Sequence, residues 1–119
     1  MLVTLYGISN CDSTHKARRW LKDENIDYHF HDYRKDGLKE VILRRWIDNI
    51  EWEKLTNKRG TTWRNLPEEQ KANMTRDQAI QIMLEKPVII KRPLLDFSGS
   101  PTLGFNSTLY SNLFSKRTL

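Results

Sequence analysis

The residue best suited to chemistry is Cys11, the single cysteine of the 119-residue chain. It follows an apolar, β-forming run, Leu2 to Tyr6, and the turn-like stretch Gly7 to Asn10. A helix is expected to begin just after it, near Asp12 or Ser13. The first turn of a helix has N–H groups without intrahelical partners, and the peptide dipoles make that end positive. Both favour a thiolate over a thiol. Cysteines so placed can ionise at about pH 3.5–7.5, against about 8.5 for a free thiol. The basic residues His15, Lys16, Arg18 and Arg19 add positive potential. The alternative is a buried, inert thiol, and the polar neighbours Asn10, Asp12 and Ser13 argue against it. Three positions after Cys11 stands Thr14, where a dithiol oxidoreductase carries a second cysteine. Any redox cycle is therefore monothiol, resolved by an external thiol. The Ser13 and Thr14 hydroxyls are candidates for hydrogen bonds to the sulfur or for capping the helix.

One cysteine also sets boundaries. It excludes internal disulfides and Cys-rich zinc or iron–sulfur sites, and it suits a reducing cytoplasm. The length matches one ordinary domain, large enough to bury a core without staples. Hydrophobic residues make up 38% and charged residues 29%, which argues against disorder and against a membrane span. The opening MLVTLYG lacks the basic and long apolar regions of a signal peptide. A net charge of +5 permits anionic partners, including the carboxylates of glutathione. The basic residues are scattered rather than gathered with aromatics, which argues against nucleic acid as the partner.

The elements that must position Cys11 follow from periodicity. Residues 2–6 read as a strand. Ala17, Trp20 and Leu21 give a helix an apolar stripe that ends near Asn25. Ile26 to Tyr33 reads as a second strand, parallel to the first because a helix crosses between them. Leu38, Val41, Ile42, Trp46, Ile47 and Ile50 keep helical spacing, and Thr75 and Asp77 open a helix carrying Ala79, Ile80, Met83 and Leu84. After Pro87, Val88 to Ile90 and Leu94 to Phe97 read as β segments split by Pro93. Ser98-Gly99 reads as a hairpin turn, Thr102 to Phe105 as a last strand, and Asn106 or Ser107 as the cap of a closing helix. The whole is an α/β single domain, 1–119. Residues 1–35 and 86–119 form a thioredoxin-like core, a small mixed sheet flanked by helices. Residues 36–85 form an inserted helical subdomain.

Two further groups invite a chemical reading. His29, His31 and Asp32 could suggest a metal, but no third ligand stands at a convincing spacing, and a half-exposed strand accounts for the alternation. Lys58-Arg59-Gly60 is either an anion-binding lip or a solvated loop. Trp20, Trp46, Trp52 and Trp63 are read as packing residues.

The segment Tyr6-Gly7-Ile8-Ser9-Asn10-Cys11-Asp12-Ser13 with Lys16-Ala17 resembles the active-site turn of the arsenate reductase (ArsC)/Spx family, and more narrowly its YffB-like branch. Matching blocks continue through Phe30-His31-Asp32-Tyr33, Leu55 to Arg64, Pro87 to Pro93 and Leu103-Gly104-Phe105. The resemblance implies a glutathione-dependent monothiol reductase, with glutathione as co-substrate and no bound cofactor. It implies a nucleophilic Cys11, a cis peptide before Pro93, and Arg92 beside the thiol. Asn10, Ser13, Thr14, Lys58, Arg59, Lys91 and Pro93 are the expected substrate-binding residues. Such a turn is expected to offer backbone groups to an extended peptide such as glutathione, with Arg92 binding a carboxylate or steadying the thiolate. The family's other two oxyanion arginines would fall near Asn57 and near Phe105, both uncharged, which points away from arsenate. A non-catalytic regulator, such as an RNA polymerase adaptor of the Spx type, is the alternative.

Overall fold

In the computed structural model, residues 2–115 are described. Strand β1 (Val3–Gly7) runs into the cysteine loop, and helix α1 (Asp12–Asp23) follows it. Helix α1 ends in a Schellman closure. Asn25 takes a left-handed φ of 55°, and the Ile26 and Asn25 N–H groups donate to the Leu21 and Lys22 carbonyls. Ile26 is thus committed to the cap, so β2 (His29–Asp32) begins three residues later than its β-forming sequence suggests. Tyr33 leaves the strand as well. Asp32 Oδ1 accepts from the Arg34 N–H at 2.9 Å and starts the one-turn helix α2 (Tyr33–Asp36).

Helices α3 (Glu40–Asn49), α4 (Trp52–Leu55), α5 (Thr61–Arg64), α6 (Glu68–Ala72) and α7 (Arg76–Glu85) follow before the chain returns to the sheet. Helix α7 opens with a reciprocal capping box between Thr75 and Gln78. Residues Pro87–Ile89 form a 3-10 turn rather than the start of a β segment. Proline at its start has the φ a helical turn needs and no N–H to give a ladder. Only Ile90 pairs, in an antiparallel bridge with Thr56. The Asn57 N–H donates to the Ile89 carbonyl at 2.7 Å, and the Lys91 N–H to the Leu55 carbonyl at 2.9 Å. This short ladder ties the helical block to the chain entering β3 (Leu94–Phe97).

Strands β3 and β4 (Ser100–Leu103) form a tight hairpin. Ser98 (φ 51°) and Gly99 (φ 92°) supply the two left-handed residues that match the twist of the strands. Strand β4 therefore starts at Ser100, two residues before the expected Thr102. It stops at Leu103, because Gly104 (φ 77°) turns the chain and donates to the Pro93 carbonyl at 2.8 Å. Pro101 is tolerated because β4 is an edge. Helix α8 (Ser107–Ser115) is capped by Asn106, whose Oδ1 accepts from the Leu109 N–H at 2.7 Å.

The sheet order is β2-β1-β3-β4, with β1 and β2 parallel and the other pairs antiparallel. Alternation along β1 divides two cores. Val3, Leu5 and Leu95 face Ala17, Leu21, Tyr110 and Phe114 of α1 and α8. Tyr6 and Leu94 face Leu43, Trp46, Ile80 and Met83 of the helical block. This is a thioredoxin-like mixed sheet with helices on both faces. No helix among the described residues is long and apolar enough to cross a membrane.

Candidate active site around Cys11

Cys11 is itself the N-cap of α1, in extended conformation, and its carbonyl accepts the first helical bond from the His15 N–H. It is partly exposed. Burial alone would push its thiol up. The Thr14 hydroxyl and N–H and the Arg92 guanidinium outweigh that and bring the pKa below the ordinary thiol value. Thr14 Oγ1 and Arg92 Nε are both buried and form no hydrogen bond in the resting geometry. The Thr14 hydroxyl and the Arg92 guanidinium act on the sulfur mainly through their charge and dipole, an attraction that grows when it carries charge.

Gly7 explains how Thr14 comes so near. It is the last residue of β1 rather than part of a turn. A Cβ there would lie 2.6 Å from Thr14 Oγ1 and 2.9 Å from Thr14 Cγ2. A bare backbone lets α1 press the Thr14 side chain against the strand.

The Arg92-Pro93 peptide is cis. Arg92 is half-buried, and its Nη1 donates to the Val88 carbonyl. The 3-10 turn thus holds the guanidinium from behind. Tyr33 lies beneath, its hydroxyl buried and unpartnered. Burial pushes its pKa well up, the neighbouring Tyr6 adds to this, and Arg92 opposes it, so Tyr33 stays neutral. The expected backbone docking edge is narrower than its sequence suggests. The Pro93 carbonyl is taken by Gly104, and among the described residues the Arg92 N–H and the Lys91 and Arg92 carbonyls of the turn form no backbone hydrogen bond.

The other sequence candidates divide. Asn10 is exposed beside the thiol, and its Oδ1 accepts from Arg34 Nη1 at 3.1 Å. Ser13 is exposed and takes no part in lowering the thiol pKa. Lys91 is exposed, and its backbone serves the ladder to Leu55. Lys58 Nζ lies over the rings of Trp63 and Trp52, 5.4 and 5.8 Å from their centroids, rather than at the sulfur. Arg59 points into solvent, with its N–H bonded to Asn57 Oδ1. A cleft of about 100 Å³ beside Arg92 is lined instead by Arg34, Asn57, Gly60, Thr61 and Thr62. Two of the basic residues after Cys11 are engaged elsewhere. Arg18 bonds the Tyr28 hydroxyl and lies over Phe30, and Lys16 pairs with exposed Asp12. His31 bonds the Gly37 carbonyl, and Asp32 caps α2.

Arg34 escapes sequence reasoning because it looks like the polar end of a strand. The available signal was Asp32 two residues before it, a pattern that starts a helical turn.

The sequence profile of the ArsC family matches residues 6–113. The chain belongs to the ArsC family. It is 42% identical to the YFFB protein, whose solved structure superposes with a TM-score of 0.87 over 92% of this chain and 96% of that one. It is 46% identical to an arsenate reductase (ArsC) related protein from Brucella melitensis, with a TM-score of 0.77 over 96% and 95% of the two chains. Regulatory protein MgsR of Bacillus subtilis is 26% identical over 98% of this chain and 94% of its own. The short connection from Ile8 to Cys11 is thus the segment that positions the thiol between β1 and α1.

Proposed function

We propose that this ArsC-family protein is a cytoplasmic monothiol oxidoreductase that exchanges disulfides with glutathione as co-substrate. The observation that carries the reading is Cys11, partly exposed at the start of α1 and lowered in pKa by Thr14 and Arg92. In the first step the Cys11 thiolate forms a bond to one sulfur of a disulfide, and the other sulfur leaves as thiolate. In the second, a glutathione thiolate attacks the Cys11 mixed disulfide, releasing oxidised glutathione and restoring the Cys11 thiolate. Each step breaks one S–S bond and makes one. Thr14 cannot resolve the intermediate, and the chain has no second cysteine, so the external thiol is required. Arg92 stabilises the attacking sulfur while the first turn of α1 presents its N–H groups to it.

The test is the pH dependence of iodoacetamide labelling. Only thiolate reacts, so a lowered pKa keeps labelling fast to lower pH. The midpoint should fall below about 8.5, the free-thiol value. Arg92→Ala removes a positive donor and should move the midpoint up. Arg92 is half-buried and bonded to Val88, so the variant should lose about 1 kcal/mol of stability and still fold. A midpoint at or above about 8.5 in the parent would remove the activated thiolate. Mass spectrometry after oxidised glutathione should show one added glutathione, reversed by excess reduced glutathione.

Arsenate turnover should be weak or absent. Asn57 is uncharged, and Phe105 packs edge-on against Tyr110 at 4.8 Å, so neither position supplies the additional arginine a multiply charged oxyanion needs. Glutathione-coupled arsenate reduction at the rate of an authentic arsenate reductase would overturn this. The similarity to Regulatory protein MgsR favours a second reading, a regulatory protein, for which an RNA polymerase adaptor of the Spx type is the form to test. An unreactive Cys11 together with polymerase capture would establish it.

A further inference from the structure

We propose that the cleft between Arg34, Arg92 and the 57–62 loop is a carboxylate subsite, with Arg34 as the residue that selects acidic thiols and disulfides. The proposal deepens the reading of Cys11 as the nucleophile and rests on it for its kinetic arm.

Two guanidiniums line this cleft, and no residue lining it carries a carboxylate. Neither arginine forms an ion pair among the described residues. Arg34 is exposed and Arg92 half-buried, and the two uncompensated positive charges on its lining make the cleft attractive to an anion. The remaining polar walls, Asn57, Thr61 and Thr62, are neutral hydrogen-bonding groups suited to the same guest.

Arg34 is held in place from both ends. Its N–H is fixed by Asp32 at the start of α2, and its Nη1 by Asn10, the residue before the nucleophile. Its other guanidinium donors have no partner among the described residues. A planar fork with free donors matches a carboxylate in a bidentate mode that an ammonium cannot copy. Arg92 Nε is likewise buried without a partner.

The position of the cleft decides what kind of anion fits. Cys11 does not line it, whereas Ile8 and Val88 do. Ile8 and Val88 give the cleft apolar sides, and an anion held in it is not seated on the sulfur. That suits a carboxylate tethered by several bonds to a reacting sulfur, as in a cysteinyl peptide. It does not suit a small oxyanion bonded to the sulfur itself. A space of about 100 Å³ is several times the roughly 10–15 Å³ that a single water needs on the same measure, enough for a carboxylate and its adjoining methylene.

The test compares mixed-disulfide formation at pH 6 from glutathione disulfide, which is acidic, and from bis(2-hydroxyethyl) disulfide, which is neutral. In the full chain the acidic disulfide should be preferred. In Arg34→Gln the ratio of the two rates should fall by about tenfold, the effect of one charge-assisted hydrogen bond. Arg34→Lys should restore part of it, and 0.5 M salt should erode it. An unchanged ratio, or both rates falling together, would overturn the subsite, the second result marking Arg34 as a structural prop. A parallel arm measures S-methylglutathione binding to Cys11→Ser by calorimetry, where no thiol chemistry takes place. Binding that weakens about tenfold in Arg34→Gln/Cys11→Ser supports the subsite even if the thiol proves inert. No binding, equal binding to both proteins, or displacement by inorganic phosphate at equal affinity would refute a carboxylate site.

Discussion

Trp46→Ala is expected to lower the unfolding free energy by about 3–5 kcal/mol, the usual cost of removing a large buried aromatic. Trp46 on α3 is fully buried and meets Tyr6 edge-on at 4.7 Å. Its Nε1–H donates to Asp96 Oδ2 at 3.0 Å. Asp96 is buried on β3, and its other oxygen accepts the Gly99 N–H of the hairpin turn at 2.7 Å. One side chain thus joins the helical block, the central strands and the β3–β4 turn. Truncation opens a cavity and removes a donor from a buried carboxylate, and the two losses reinforce each other. A domain this size typically has about 5–15 kcal/mol in total, so the variant should approach the unfolding threshold. Trp46→Phe keeps much of the ring and separates the two effects. It should cost about 1–3 kcal/mol, mostly for the stranded carboxylate. Urea unfolding with an unchanged slope is the measurement. A loss below about 1 kcal/mol in the alanine variant would contradict the packing described here.

Gly7→Ala should damage both stability and chemistry. The new methyl would sit 2.6 Å from Thr14 Oγ1 and 2.9 Å from Cγ2. Thr14 is β-branched and buried, so rotation about χ1 only exchanges one clash for another. Helix α1 must retreat from β1, at about 1–3 kcal/mol for overpacking. Thr14 lowers the Cys11 pKa through both its hydroxyl and its N–H, so the retreat should raise it. Labelling at pH 6 should slow, while labelling well above the ordinary thiol pKa should match the parent. Thr14→Ser in the same background removes Cγ2 and should recover part of the lost stability. Wild-type labelling at pH 6 in Gly7→Ala would show that Thr14 does not govern the thiol.

Local signals placed the parts of this molecule that depend on neighbours in the chain. The apolar stripe of Ala17 and Leu21 specifies α1, and both residues are fully buried. The Asn106 cap starts α8, and Ser98-Gly99 closes the hairpin. Cys11 falls between strand and helix for the same reason. The boundaries that differ are those where a backbone group has a second claim on it. Ile26 is β-branched and reads as strand, but its N–H completes the α1 cap. Val88 and Ile89 read as strand, but Pro87 winds them into a 3-10 turn.

The sequence by itself determines the strand–Cys–helix loop, a single cysteine with Thr14 three positions after it, and an α/β fold with a helical block between its halves. These rest on residue type and short-range periodicity, which act within a few positions. Tertiary structure alone decides the surroundings of the sulfur. The Thr56–Ile90 bridge carries the 57–62 loop, from across the helical block, to Arg92. It leaves Lys58 on Trp52 and Trp63, and turns Asn57, Thr61 and Thr62 into the cleft. Arg34 reaches Asn10 across 24 positions, and Arg92 acts on Cys11 from the far end of the chain. Which cation stands beside a thiol depends on the packing of distant segments, and no local periodicity encodes that choice.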